Sequence, residues 1–242
     1  MSGVSDHIAV IGAGAAHFAD ALAKHFADVV VLPPFDLLDG RIASHPDTLL
    51  AKVGKTVIVS EAYAAHASRE ISRIAAHAPV RLGKTIPRSP YPQDVAYNEF
   101  QHGGLLYART DTLDGAVTDA AEAQGLPLRH IRQGYAGCSA LSCEDVVLTA
   151  DSSIAFALEA DGAAVVRLTP GGIRLPGYDY GFIGGAAGYC AHTAVFFGKL
   201  DRHPDGIRIR TALELYGIRA ISLGTESLTD YGGILTVPVK TT

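Results

Sequence analysis

Pro170 to Gly188 reads PGGIRLPGYDYGFIGGAAG, and part of it returns near the end of the chain. Asp179-Tyr-Gly-Phe-Ile-Gly-Gly185 reappears as Asp230-Tyr-Gly-Gly-Ile-Leu235. The first stretch holds seven of the chain's 26 glycines together with Tyr178, Tyr180 and Phe182. A flexible linker would be rich in Gly and Ser and poor in aromatics. Glycines set among aromatics instead point to a tightly turned backbone that needs positive φ or close main-chain approach.

Working outward, the same phrase recurs along the chain. Short apolar strands are predicted at Ile8–Ile11, Thr56–Val59, Leu105–Tyr107, Val146–Leu148 and Ala194–Phe197, so the period is 41 to 49 residues. Helix-starting residues follow at Ser60/Glu61, Thr110/Asp111, Asp151/Ser152 and Asp205, where a side-chain oxygen accepts from first-turn amides and complements the dipole. Gly125, Gly162 and Gly217 stand where a left-handed C-cap ends a helix, and Pro79 ends the second helix by another route. Second strands are predicted at Val29–Leu32, Val80–Leu82, Leu128–Ile131, Ala164–Leu168 and Arg219–Leu223. After each comes a loop and a further run: His45–Ala51, Asp94–Phe100, Gly134–Leu141, Asp179–Gly185 and Asp230–Leu235. A repeat of this length marks a modular architecture. Five β-α-β units with an extra strand favour a closed ring over an open stack, because closure removes exposed edges.

The N-terminal run from His7 to His17 carries Gly12 and Gly14 of a dinucleotide fingerprint, but His17 stands at the third glycine. The next strand ends in Pro33-Pro34 rather than an acidic residue. The pair of glycines is read as a tight strand-to-helix turn.

Composition narrows the classes. Apolar residues at 48% and charged residues at 19% describe a globular protein with a substantial core. A net charge of −5 without a Lys/Arg block argues against nucleic-acid or anionic-membrane partners. No apolar run reaches the roughly 18–20 residues of a membrane span, and the start lacks a signal-peptide pattern. Three cysteines, Cys138, Cys143 and Cys190, make no disulfide framework and no zinc-ligand spacing. A reducing cytoplasm is the expected setting, and neither cofactor nor metal is called for.

Five ββαβ units in a ring are the architecture of the pentein, or guanidino-group modifying enzyme, fold. The chain resembles a member of that superfamily, and from Gln133 onward it resembles an uncharacterised bacterial family within it. The matching runs are Gln133–Ser139, Leu175–Gly185, His203-Pro-Asp-Gly206 and Asp230–Gly233. The resemblance implies an α/β, five-fold pseudosymmetric propeller forming a single domain, with approximate units 1–46, 47–97, 98–137, 138–183 and 184–242 and the outer strand order open to permutation. It further implies a small-molecule site on the narrow axis. The superfamily's enzymes attack a guanidinium carbon with a cysteine thiolate, aided by a histidine and by carboxylates that hold the cation. In them the cysteine follows a glycine run in the last unit, and the histidine lies in an H-x-D run of the fourth. Here Gly232-Gly233 is followed by Ile234-Leu235-Thr236, and the histidine run is replaced by Cys190-Ala-His192-Thr193.

Cys138 is therefore the candidate nucleophile, displaced to the third unit. Arg132 and Tyr135 stand just upstream and Ser139 beside it, and an adjacent guanidinium would depress a thiol pKa. The plain alternative is a small buried filler, which is also the reading for Cys143. Asp47, Asn98, Asp179 and Asp230 precede or open four of the axial runs. If they converge, they suit a cationic or zwitterionic small molecule, with Tyr135, Tyr178 and Tyr180 as flat walls. The competing reading has each capping its own turn. Glu99 and His102 flank the second run; His203-Pro-Asp205 reads as a loop entering a helix. Pro170–Tyr178 is an insertion placed to act as a lid.

Two functions follow. One is a hydrolase or transferase acting on a guanidino or related C–N compound, with Cys138 as nucleophile. The other is a non-catalytic pentein serving as a binding or assembly module.

Overall fold

Four of the five repeats begin with a hairpin whose inner member is short and whose second strand is largely apolar. The computed structural model describes residues 5–240. Its strands are β1 (Ser5–Gly12), β2 (Phe26–Leu32), β3 (Leu50–Val53), β4 (Thr56–Ser60), β5 (Val80–Gly83), β6 (Glu99–His102), β7 (Leu105–Ala108), β8 (Leu128–His130), β9 (Ala140–Cys143), β10 (Val146–Thr149), β11 (Ala164–Arg167), β12 (Ala187–Cys190), β13 (Thr193–Phe197), β14 (Arg219–Leu223) and β15 (Leu235–Pro238). The helices are α1 (Ala19–Leu22), α2 (Pro46–Leu49), α3 (Glu61–His66), α4 (Ser68–Ala75), α5 (Gly115–Ala123), α6 (Ala136–Ser139), α7 (Ser152–Ala160) and α8 (Gly206–Leu215).

The strands make five three-stranded sheets: β3-β4-β5, β6-β7-β8, β9-β10-β11, β12-β13-β14 and β15-β1-β2. In every one, the middle strand is antiparallel to the inner strand and parallel to the outer strand that follows its helix. The middle strands are flanked by strands on both sides and covered on both faces, which explains why β4, β10 and β13 read as continuous apolar runs. The sheet of β15-β1-β2 is assembled from both ends of the chain, with Ala9 opposite Thr236. The five sheets are separate, and none closes on itself.

Local chemistry accounts for the helix boundaries. Ser60 accepts from the Tyr63 amide and Asp151 from those of Ser153 and Ile154, as the sequence predicts. Helix α5 departs from expectation. Its cap is Asp114, not Thr110 or Asp111, and Asp114 also holds the Lys84 and Thr85 amides of the preceding loop. Asp205 precedes α8 without capping it and instead accepts from the Thr169 amide. Gly125, Gly162 and Gly217 adopt positive φ at their helix ends. The N-terminal glycine turn leads into a 3-10 turn at Ala13–Phe18 and the short α1. A side chain at Gly12 would meet the Ser44 carbonyl, so chain crowding explains that glycine without a nucleotide.

Candidate functional site

The five runs that precede the inner strands meet one another. The Asp47 amide donates to the Gly232 carbonyl at 3.3 Å, and Asn98 Nδ2 donates to the Asp47 carbonyl at 2.7 Å. Asn98 Oδ1 accepts from the Gly137 amide at 2.7 Å. The Gly185 amide donates to the Cys138 carbonyl at 3.0 Å, and the amides of Tyr231 and Gly233 donate to the Gly185 carbonyl. Each run is thus tied to the next, and the fifth to the first. Backbones this close leave no room for side chains. A Cβ at Gly184 would meet the carbonyls of Gly137, Ala140 and Cys138, and one at Gly185 would meet the Asp230 carboxylate.

This crowding gathers several of the predicted residues around one cavity of about 260 Å³, lined by Cys138, His45, Thr48, Asp230, Tyr135, Tyr178, Asp179, Tyr180 and Phe182, among others. The Cys138 thiol is buried and receives a hydrogen bond from Asn98 Nδ2 at 3.3 Å. Asp230 accepts from the Phe182 amide at 2.9 Å and the Gly232 amide at 3.0 Å. Asp47 and Asn98 do not line this cavity; Asp47 lies against the Cys138 thiol, which bears on its carboxylate, and neither of its enclosed carboxylate oxygens has any other hydrogen-bond partner. Such a group costs free energy unless something binds it. Burial, and then the neighbouring Asp230, raises the pKa of Asp47. Burial likewise raises Asp230, against the Gly232 and Phe182 amides that favour its ionised form. Two like carboxyls in one enclosure share protons readily and lose them reluctantly.

The thiol is not activated in the free protein. Burial first, then the charges of Asp47 and Asp230, push the Cys138 pKa well above its ordinary value. This reverses the expectation that Arg132 would lower it: Arg132 is exposed and does not line the cavity. Ser139 is also displaced from the thiol cavity. It lines a neighbouring space of about 250 Å³ with Gln133 and Asp151.

The remaining candidates form walls and mouth. Tyr135 stacks loosely between Tyr91 and Phe182, at 5.5 and 6.5 Å between ring centroids, and its hydroxyl donates to Asp94 at 2.6 Å. Tyr178, Asp179 and Tyr180 are exposed at the opening. The Pro170–Tyr178 insertion is fastened to the loop before α2, because Arg41 donates to the Gly177 carbonyl at 2.6 Å and lies 4.1 Å from the Tyr178 ring centroid.

His45 is a site residue that sequence reasoning passed over. It is buried, lines the cavity, and places Nδ1 3.8 Å from Asp230 Oδ1. Burial lowers its pKa to about 4, so the imidazole is neutral at pH 7. The available signal was its place at the start of an axial run, two residues before Asp47. His192, in the region of the superfamily's histidine run, is instead exposed in a hairpin turn and pairs with Glu144 at 3.0 Å. Ile234, which follows the glycine pair as the superfamily's cysteine does, is buried against Gly188. Among the described residues no group of three or more His, Cys, Asp or Glu side chains is arranged to hold a metal ion. No helix among them is long and apolar enough to cross a membrane.

A model of a family of unknown function, DUF6873, matches residues 11–235. The chain belongs to this family. No curated protein matches the sequence. Solved structures of dimethylarginine dimethylaminohydrolase are similar over nearly the whole length. The enzyme of Pseudomonas aeruginosa, a cysteine-to-serine mutant complexed with citrulline, superposes with a TM-score of 0.52 at 14% identity, covering 90% of this chain and 91% of that one. A histidine-to-glycine mutant as an adduct with S-methyl-L-thiocitrulline gives 0.54 at 12%, covering 92% and 93%. An adduct with 4-chloro-2-hydroxymethylpyridine gives 0.51 at 14%, again covering 92% and 93%. At these identities the likeness establishes the fold, which is that of the pentein superfamily.

Proposed function

We propose that the five sheets stand as blades of a propeller within a single domain, and that the Cys138 cavity at its axis binds a small molecule carrying a planar guanidinium or amidinium group. The observation that carries this reading is the buried Cys138 thiol lining the cavity with Asp230 and backed by the enclosed Asp47 carboxylate, whose oxygens have no partner but that thiol. A planar cation with two parallel N–H groups satisfies both oxygens at once, and the tyrosines supply flat walls and cation–π contact. Similar solved structures hold citrulline and S-methyl-L-thiocitrulline.

Arrival of the cation also supplies what the free site lacks. A positive charge near the thiol favours thiolate, and it favours ionised Asp47 to accept the thiol proton. The Cys138 sulfur then adds to the central carbon, a C–N bond breaks, and the departing amine takes the proton from Asp47. Water, losing a proton to His45 or Asp47, attacks the S-linked carbon; the C–S bond breaks and the thiol reforms. Asn98 holds the sulfur and Asp230 orients the cation and His45. The three free thiols fit the reducing cytoplasm that we propose as the setting.

A second reading has its own observation. The raised thiol pKa and neutral His45 also suit a module that binds the same cation without reacting. A panel of guanidino and amidino compounds assayed for released amine separates the two. Turnover that disappears in Cys138→Ser supports the enzyme; saturable binding without amine release in the wild type supports the module. Absence of any binding that depends on Asp47 overturns both.

A further inference from the structure

The axis has a second mouth. On the side of the inner strands away from the tyrosine walls lies another cavity, of about 290 Å³, floored by Gly137, Gly184, Gly232 and Gly233. Its polar groups come from β3, β6, β9, β12 and β15: Lys52, Glu99 with Gln101, Ser142, Tyr189 and Thr236. Lys52 and Glu99 are the charged pair, and their bonding is incomplete in a complementary way. Lys52 Nζ donates one hydrogen bond, to the Thr236 carbonyl at 2.9 Å, leaving two N–H groups to spare. Glu99 Oε1 accepts from the Lys52 amide at 2.9 Å, while its Oε2 is enclosed and has no partner. The ammonium and the carboxylate stabilise each other's charge through space but are not within 4.0 Å of one another. Gln101 Oε1 accepts from the Gly54 amide and its Nε2 donates to the Lys52 carbonyl; its nearness favours ionised Glu99 but places no hydrogen bond on Oε2.

Opposite charges that face one cavity yet do not touch leave a donor and an acceptor to be satisfied together. A simple anion would answer Lys52 and leave Glu99 unmet beside the Asp47 carboxyl. A simple cation would answer Glu99 and crowd the ammonium. A molecule with one anionic and one cationic end meets both. We infer that this second axial cavity is a binding site for a small zwitterionic amino acid, its carboxylate on Lys52 Nζ and its ammonium on Glu99 Oε2. The site lies across the glycine constriction from Cys138, and Asp47, which lines it, is the one charged group that also neighbours the thiol. Occupancy is independent of whether the thiol cavity performs chemistry.

The test is an amide-resolved NMR titration of the full chain with glycine, β-alanine and 4-aminobutyrate, using methylammonium and acetate as single-charge controls. The expected result is saturable shifts at Gly188 and Thr236 for at least one zwitterion, at an affinity ten-fold or more above both controls. Glu99→Gln and Lys52→Met should each weaken it ten-fold or more, while Cys138→Ala leaves it within two-fold. If Lys52→Met does not fold, Glu99→Gln alone decides. No saturation by any zwitterion, indifference to Glu99→Gln, or parity with the single-charge ions overturns the inference and leaves the cavity to water. Shifts confined to Tyr178 and Phe182 and lost in Cys138→Ala would also overturn it, while leaving the proposed function standing.

Discussion

Replacing Glu99 with glutamine keeps the shape of the side chain and removes its proton equilibrium, so the variant isolates one buried carboxyl. Burial raises the Glu99 pKa from 4.5 to about 7, against the Lys52 amide, the Lys52 charge and Gln101, which act the other way. As pH climbs, the unfolded chain therefore releases this proton before the folded one does. The contribution is complete below 4.5, drains away up to about 7, and is level beyond. A rise of this size corresponds to about 3 kcal/mol. His45 works in the opposite sense over an overlapping range. Its folded pKa falls from 6.5 to about 4, so its contribution is complete above 6.5 and drains away as pH falls towards 4. Subtracting the variant's curve from the wild type's cancels His45 and leaves Glu99. The chain has no tryptophan, so urea unfolding is best followed by circular dichroism. The two proteins should be equally stable at pH 4.5, and Glu99→Gln should be more stable by about 3 kcal/mol at pH 8, a midpoint shift of roughly 1 M urea. Parallel curves across the window, or a variant that is weaker at pH 8, would refute the reasoning.

Two further substitutions probe the scaffold under the site. Gly185→Ala sets a methyl group against the Asp230 carboxylate where runs three, four and five meet; it should cost about 3 kcal/mol in urea unfolding and weaken cation binding together. Asp114→Ala removes the acceptor for the amides of Lys84, Thr85 and Ala116; it should cost about 3 kcal/mol while leaving binding in the thiol cavity unchanged, because it does not line that cavity.

The repeat was legible because each unit writes it in local chemistry: an apolar strand, a capped helix, a glycine stop and a second strand. Even the near-copy of Asp179–Gly185 at Asp230–Leu235 pointed to the crowding that excludes a side chain from Gly185. What was not legible depends on contacts between distant parts of the chain. Nothing local tells β15 that its partner is β1 at the other end of the chain. His45 starts an axial run in the sequence, but its role as a wall of the site depends on Asp230 and Gly232, which pack against it from near the other end of the chain. Arg132 shows the converse error. Sequence nearness to Cys138 suggested an electrostatic partner, but the intervening turn directs it to solvent and leaves the thiol among carboxyls. The Asp114 cap was missed because Thr110 and Asp111 offer equally good cap chemistry a few residues too early.

The claim that the Cys138 cavity captures a planar cation is tested most directly by alkylation with 2-chloroacetamidine against neutral 2-chloroacetamide, read by peptide mass spectrometry. The two reagents share a leaving group and a size and differ in charge. A unit charge about 4 Å from the reacting sulfur contributes about 4 kcal/mol at intermediate dielectric. The account predicts that the amidinium labels Cys138 at least about 100-fold faster than the amide does, that Cys143 and Cys190 show no such preference, and that Asp47→Asn removes it. Equal rates for the two reagents at Cys138, or a preference that survives Asp47→Asn, would contradict it.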